Sequence, residues 1–476
     1  MQRKFLAALA AFSLCFFILP AMMPAAISMG WLQAFLNFPP HGIRRLIFTG
    51  WEIASTFHYF LEGIDMEHGD MAWMLISSAM VLLMTPGLAF FYAGMTKRKN
   101  AVNTIMSSAL ALGLASVLWV LIGFSLSFSG DNGGFIGNLN WFCLNFNDLK
   151  DTSYAAPNTL AFAIFQMMFA IITPALITGA IVERMRFSSL FIFVALWSVL
   201  VYYPMAHMVW GGGFLMKLGA VDFAGGNVVH ITSGISALVL AMLLGKRKNY
   251  GRISYHPHNV PMVFLGAALL WFGWFGFNGG SAGAANALAA HAFMTTNTSA
   301  AAAMLSWMLI ERVKDGRPTL VGASTGLVVG LVAITPGSGF VPIWAALVIG
   351  ALASPISYFF ISVVKSKLGY DDALDVFGCH GVGGIWGGVA TGLFAEKSIN
   401  PAAQWNGLVF GDAQLFLRQL AAIGVAVVMA VAGTLIAAGI AKLCTGNLRV
   451  ERKDEDIGLD ITEHGEPGYP AFNGMD

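Results

Sequence analysis

Apolar runs of roughly 18–25 residues, each able to cross a hydrocarbon core about 30 Å thick, follow one another along almost the whole of this chain. No other feature restricts its folding so tightly, and it predicts an all-α polytopic membrane protein. Of the 476 residues, 57% are hydrophobic and 11% are charged, where an ordinary globular domain carries about 25% charged residues. The 54 glycines suit the same class, because small residues let membrane helices approach closely. A net charge of +1 argues against a nucleic-acid partner. Cys15, Cys143, Cys379 and Cys444 have neither metal spacing nor a disulfide framework. Cys379 stands beside His380, but two adjacent ligands without others nearby make no metal site, and no cofactor is expected.

Residues 1–29 read as a signal-peptide-like segment: Arg3 and Lys4 precede an apolar run, and small residues follow in PAMMPAAIS. A retained membrane anchor is the rival reading. Residues 30–68 form an extension whose later part suits an amphipathic helix on the membrane surface. Residues 69–443 are the membrane domain, with eleven spans expected near 71–93, 101–128, 158–182, 188–210, 222–244, 259–281, 285–310, 319–335, 342–364, 375–394 and 415–441. Residues 444–476 are a polar tail, either a solvated end or a regulatory docking segment.

Charge orients the spans. Most of the 26 Lys and Arg lie in alternate connections: Lys97 to Lys99, Arg184 with Arg186, KRKNYGR at 246–252, ERVKDGRP at 311–318, Lys365 with Lys367, and the tail. The other connections hold only Lys150, Lys217, Lys397 and Arg418. Cytoplasmic loops carry the excess of Lys and Arg. The expectation is a multi-pass protein of the cell (inner) membrane, with its N-terminus outside and its tail in the cytoplasm.

Ionisable residues inside such spans are expensive, so each is a functional candidate. DFAGGNVVH carries Asp222 and, about 12 Å deeper at 1.5 Å per residue, His230. DVFGCHGVGG carries Asp375 and His380 on a span that enters from the opposite side. Asp222 suits an N-cap over the amides of Phe223, Ala224 and Gly225, and a carboxylate near an outer mouth also favours a cation. Two acid-then-histidine helix starts from opposite faces suggest inverted halves with a site near the midplane. The bland alternative is two unrelated core histidines. A facing pair would titrate as a unit and offer donor and acceptor edges to a small polar solute or a proton. The aromatics Phe165, Phe169, Trp210, Trp274 and Phe277, with Gln166 and Ser281, could attract and hold a desolvating cation, although any one of them alone is commonplace.

TPGLAFFYAG, AHMVWGGG, DFAGGNVVH, WFGWFGFNGGSAGAAN and DVFGCHGVGG, in that order, resemble the ammonium transporter family (Amt/Mep/Rh), most closely its microbial Amt branch. The similarity runs from about Met71 through the tail. It implies a homotrimer of protomers with eleven transmembrane helices, arranged as two inverted five-helix halves plus a final helix, each protomer with its own pore. It implies a recruitment site for ammonium at Trp210, Phe169 and Ser281, with Asp222 holding its architecture. It implies a gate of Phe169 and Phe277, twin lumen histidines at His230 and His380 that contact ammonia and relay the proton, and supporting roles for Phe165, Gln166, Trp274 and Asp375. It also implies that a PII-type signalling protein can act on the cytoplasmic tail. Beyond the surrounding membrane lipid, the expected partner is ammonium or ammonia.

The expected function is therefore ammonium/ammonia transport: recruitment as the cation, loss of a proton, and passage of ammonia with or without that proton. An ammonium sensor signalling through the tail and a passive ammonia gas channel are the alternatives. An enzyme is the remotest reading, since no nucleophile, paired acids or cofactor loop stands beside the histidines.

Overall fold

The structure is a computed structural model that describes residues 68–146, 157–252 and 254–469. The signal-like segment, the extension up to residue 67, and Lys150 lie outside the described residues. The helices are α1 (His68–Met95), α2 (Arg98–Phe128), α3 (Thr159–Ala180), α4 (Phe187–Leu218), α5 (Gly226–Leu244), α6 (Val260–Gly280), α7 (Ala287–Lys314), α8 (Leu320–Ile334), α9 (Ile343–Leu368), α10 (the π-helical turn Phe377–Val382 continuing into Gly383–Phe394) and α11 (Ala413–Thr445). Two short tail helices follow, α12 (Arg452–Ile457) and α13 (Leu459–His464). Among the described residues there is no strand beyond two isolated bridges.

Eight helices, α1 to α6, α9 and α11, are long and apolar enough to cross a membrane. The other three coincide with expected spans but depart from that pattern. α7 has 28 residues yet carries a polar run from Thr295 to Ser299. α8 has only 15 residues, and α10 carries His380 among seven glycines. Side-chain caps fix several starts: Asn259 accepts from Met262 N, Asn286 from Ala289 N, Thr319 from Gly322 N and Asp412 from Gln414 N. Each such cap stabilises a helix by about 1 kcal/mol.

Close helix contact depends on glycine. α1 packs along α6, and a Cβ on Gly266 would lie 2.2 Å from Phe91 N. α5 crosses α10 still more tightly, where a Cβ on Gly234 would lie 2.0 Å from Gly381 N. This crossing brings together the two histidine-bearing segments.

The basic connections gather at one end of the bundle, here the basic end; Trp210 marks the other. At the basic end an ion-pair network joins four connections. Arg247 holds Asp371 through Nε at 3.0 Å and Nη2 at 2.9 Å, Arg184 donates to the carbonyls of Ala180 and Asp371, and Lys97 pairs with Glu183 at 2.7 Å. Burial pushes the Asp371 carboxyl up, but Arg247 and Arg184 outweigh it and hold it below the usual range. Burial lowers the Arg184 guanidinium to about 10.

Through residue 469 the tail is docked on this end rather than solvated. Asp460 accepts from Asn103 N at 2.8 Å near the start of α2, and Glu463 accepts from Phe187 N at 2.8 Å at the start of α4. Arg449 donates to Leu244 O at 2.9 Å at the end of α5. Carboxylates thus meet helix N-termini and a guanidinium meets a helix C-terminus, the signs that the helix dipoles favour.

Candidate functional site

The path begins at Trp210, on the last turn of α4 before a break at residues 211–213. Its Nε1 donates to the Asp222 backbone carbonyl at 2.8 Å. The Trp210 ring meets Phe169 edge-on at 5.9 Å between centroids. Beneath it Phe169 and Phe277 stack at 4.2 Å and 29°, and Phe165 braces Phe169 edge-on at 5.0 Å. Such ring pairs contribute about 0.5–1.5 kcal/mol beyond burial. Met168, just before Phe169, is packed into the core without separating these rings. The Ser281 hydroxyl donates to Phe277 O at 2.8 Å, one turn back on α6, which leaves its oxygen lone pairs to accept. Gln166 is buried on α3, and its Oε1 has no protein partner.

Asp222 is a cap that meets Gly225 as expected but reaches on to the next three amides in place of Phe223 and Ala224. One carboxylate oxygen accepts from Gly225 N at 2.8 Å and Gly226 N at 2.6 Å, and the other from Asn227 N at 2.7 Å and Val228 N at 3.4 Å. Both oxygens are turned onto backbone amides. Asp222 fixes the wide first turn of α5, and its own carbonyl fixes Trp210.

Below the ring stack lies a narrow cavity between α1, α3, α5, α6, α8 and α10. Met84, Leu88, Ile172, Leu176, Leu270 and Val328 line it, together with His230, His380, Trp274 and Phe277. It has room for about one water-sized molecule. His230 and His380 face one another with Nδ1 atoms 3.3 Å apart and rings inclined by 23°. Trp274 stacks on His230 at 5.4 Å and donates its Nε1 to Thr335 Oγ1 at 2.8 Å. One shared hydrogen between the Nδ1 atoms makes one ring the donor and the other the acceptor. The two Nε2 edges are then unlike: the ring that donates at Nδ1 has a bare Nε2, and its neighbour carries the Nε2 hydrogen. His230 Nε2 has no protein partner.

The acid that mirrors Asp222 is Asp372, not Asp375. Asp372 lies eight residues before His380, as Asp222 lies eight before His230. It accepts from Phe377 N, five residues on, at 2.7 Å, matching the bond from Asn227 to Asp222. Asp375 is instead paired with Lys365 at 2.6 Å, is partly exposed, and has a left-handed backbone with φ of 60°. Burial raises the Asp372 carboxyl to about 6, with Lys365 opposing the rise and Asp375 adding to it. Nothing in the sequence singles out Thr335. Asp372 had a signal, the repeated eight-residue spacing, which the nearer Asp375 obscures. Among the described residues no group of three or more His, Cys, Asp and Glu converges as a metal site.

A bundle of apolar helices around a narrow lumen, closed above by stacked rings and with room for one small molecule, fits a polytopic membrane transport protein. Residues 72–469 match the model of the Ammonium Transporter Family, and the chain belongs to that family. It is 48% identical over 406 residues to an ammonium transporter of Bacillus subtilis, covering 85% of this chain and 99% of that protein. It is 47% identical to the ammonium transporter Amt1 of Archaeoglobus fulgidus, covering 85% of this chain and all of that protein. The crystal structure of Saccharomyces cerevisiae Mep2 superposes with a TM-score of 0.75 at 37% identity, covering 82% of this chain and 92% of that one. A sensor Amt protein superposes equally well, at 0.75, with 29% identity over 83% of this chain and 98% of that one. Its membership makes the chain an ammonium transporter.

Proposed function

We propose that ammonium is recruited at Trp210, Phe169 and Ser281, gives up a proton beneath the Phe169–Phe277 gate, and passes His230 and His380 as ammonia. The carrying observation is the lumen itself, apolar on most sides, with room for one water-sized molecule and a hydrogen-bonded pair of imidazoles as its polar groups. A charge at the centre of a bilayer costs about 2.5 kcal/mol or more, and this lumen offers no carboxylate to offset it. Ammonia avoids that term and can meet both Nε2 edges, one as acceptor and one as donor. Potassium can use the aromatic mouth but has no proton to give. Asp222, Phe165, Gln166, Trp274 and Asp372 act on this path as supports, and Asp375 lies at its basic end.

The basic connections support a cytoplasmic assignment for the basic end, which makes the Trp210 end external in a cell membrane. The antiparallel α5 and α10, each begun by an aspartate eight residues before its histidine, support eleven spans in two inverted five-helix halves plus α11. Asn297 is exposed halfway along α7, a poor residue to show to lipid, which supports coverage of that face in a homotrimer. The docked tail is the surface on which a PII-type protein would act.

The test is transient current across a supported membrane carrying the purified protein during an ammonium jump, against a potassium jump and protein-free vesicles. An ammonium-specific current lost in the His230→Ala, His380→Ala double variant would mean that charge crosses through the pair. No current, with interior alkalinisation faster than in protein-free vesicles, would mean passage of neutral ammonia alone. A potassium current of similar size would overturn the deprotonation reading, and silence in both assays would favour a sensor. Trp210→Leu and Ser281→Leu are expected to raise the half-saturating ammonium concentration roughly three- to tenfold, from lost cation–π and hydrogen-bond contacts of about 0.7–1.4 kcal/mol.

A further inference from the structure

A third buried histidine, His207, lies one turn before Trp210 on α4, away from the residues that line the lumen. Its Nδ1 is 3.1 Å from Ser127 O, near the end of α2, and its Nε2 is 3.2 Å from Asp131 Oδ1. Asp131 also accepts from Gly134 N at 2.6 Å and, through its other oxygen, from Lys217 Nζ at 2.5 Å. Burial pushes the Asp131 carboxyl up, but Lys217, His207 and the Gly134 amide outweigh it and hold it below the usual carboxylate range. Both ring nitrogens therefore face oxygens with no hydrogen to give. A neutral imidazole has one N–H and would turn a lone pair on one of them, so the ring that satisfies both contacts carries two hydrogens.

The same residue also organises the turn that follows Trp210. Its backbone carbonyl accepts from Gly211 N at 2.9 Å and Gly213 N at 3.0 Å, while Phe214 N donates to Gly134 O at 2.8 Å. α2, the connection around Asp131 and the end of α4 are thus fastened together behind the indole, whose front edge is held by Asp222 O. Among the described residues, the charged groups facing the ring are Asp131 and, across that carboxylate, Lys217.

We propose that doubly protonated His207 is a positioning residue for ammonium recruitment, clamping Ser127 and Asp131 to the helix that presents Trp210. The proposal rests on Trp210 being the recruitment site. The clamp is complete while both ring hydrogens are in place; loss of either makes one of the two contacts repulsive and loosens the seat of Trp210.

The experiment measures the half-saturating ammonium concentration and the maximal rate separately, on full-length protein in vesicles, between about pH 5.5 and about pH 8. The readout is ammonium-evoked current, or interior alkalinisation where no current flows. In the wild type the half-saturating concentration is expected to rise roughly three- to tenfold across this range. His207→Gln is expected to start at the raised value and stay flat with pH, while its maximal rate keeps the wild-type pH profile. Asp131→Asn removes the charge opposite the ring and is expected to raise half-saturation at the acid end; it carries the test if the glutamine variant does not fold. Wild-type half-saturation and pH profile in His207→Gln, or in Asp131→Asn in its place, would overturn the proposal. Raised half-saturation in Trp210→Leu alone sinks the His207 role and leaves recruitment standing. An unchanged value in Trp210→Leu sinks recruitment, and the clamp with it.

Discussion

Asp222 and Asp372 do the same local work in different surroundings. Each caps a wide helical turn through a bond to the amide five residues on, and each stands eight residues before a lumen histidine. Asp222 fills both oxygens with amides, whereas Asp372 leaves Oδ1 without a protein partner. A carboxyl raised in the folded state, here from near 3.8 to about 6, favours folding while it is protonated. Its contribution is full below the unfolded value and is lost as pH rises towards the folded one. Asp372→Asn keeps an acceptor for Phe377 N and has no proton to lose. Its apparent melting temperature, measured in detergent, should therefore gain on the wild type by roughly 2 °C or more between about pH 4 and about pH 6.5. A constant difference across that window would show that Asp372 does not titrate there.

At the scale of elements, the tail is a strap rather than an appendage. α13 closes on the starts of α2 and α4, and the strand of chain before α12 runs beside Arg184 and Arg186. Asp460→Ala removes the carboxylate that Asn103 N meets and leaves that amide without its tail partner, a loss of about 1–2 kcal/mol. The expected outcome is faster tryptic cleavage at Arg449, Arg452 and Lys453 with the membrane bundle intact, read by mass spectrometry of the released tail. Cleavage at the wild-type rate would mean that Glu463 and Arg449 hold the strap without Asp460. The tail's charge was visible in the sequence, but its partners are backbone amides on distant helices, so docking and solvation looked equally plausible there.

For the whole molecule, exposed Asn297 and the stacked Phe275 and Phe293, 3.9 Å between centroids, belong to a face of α6 and α7 that one chain leaves bare. Native mass spectrometry should find three chains together, and Met294→Arg, a charge on that face, should shift the population towards single chains. What could be read from the sequence follows from this division of labour. Spans facing lipid announce themselves by hydropathy, and His230 and His380 stand out because an apolar run should not contain them. α7 is harder to recognise as a span, since its polar side chains answer to neighbours. The pairing of Arg184, Arg247, Glu183 and Asp371 is invisible for a related reason: in the sequence they are loop charges, and only tertiary contact brings them together. Thr335 meets Trp274 through a bond across the fold that no local pattern encodes, whereas Asp372 had a local signal that the nearer Asp375 obscures.

The bond between the two lumen histidines has a direction, and either ring can be its donor. A proton that enters at the bare Nε2 and leaves from the other ring's Nε2 moves the shared hydrogen across and leaves that direction reversed. A second proton cannot then follow by the same route until the pair has been reset. Ammonia, which only borrows the two edges, leaves the pair as it found it. In the proposed passage, the pair keeps a memory of each proton and none of each ammonia molecule.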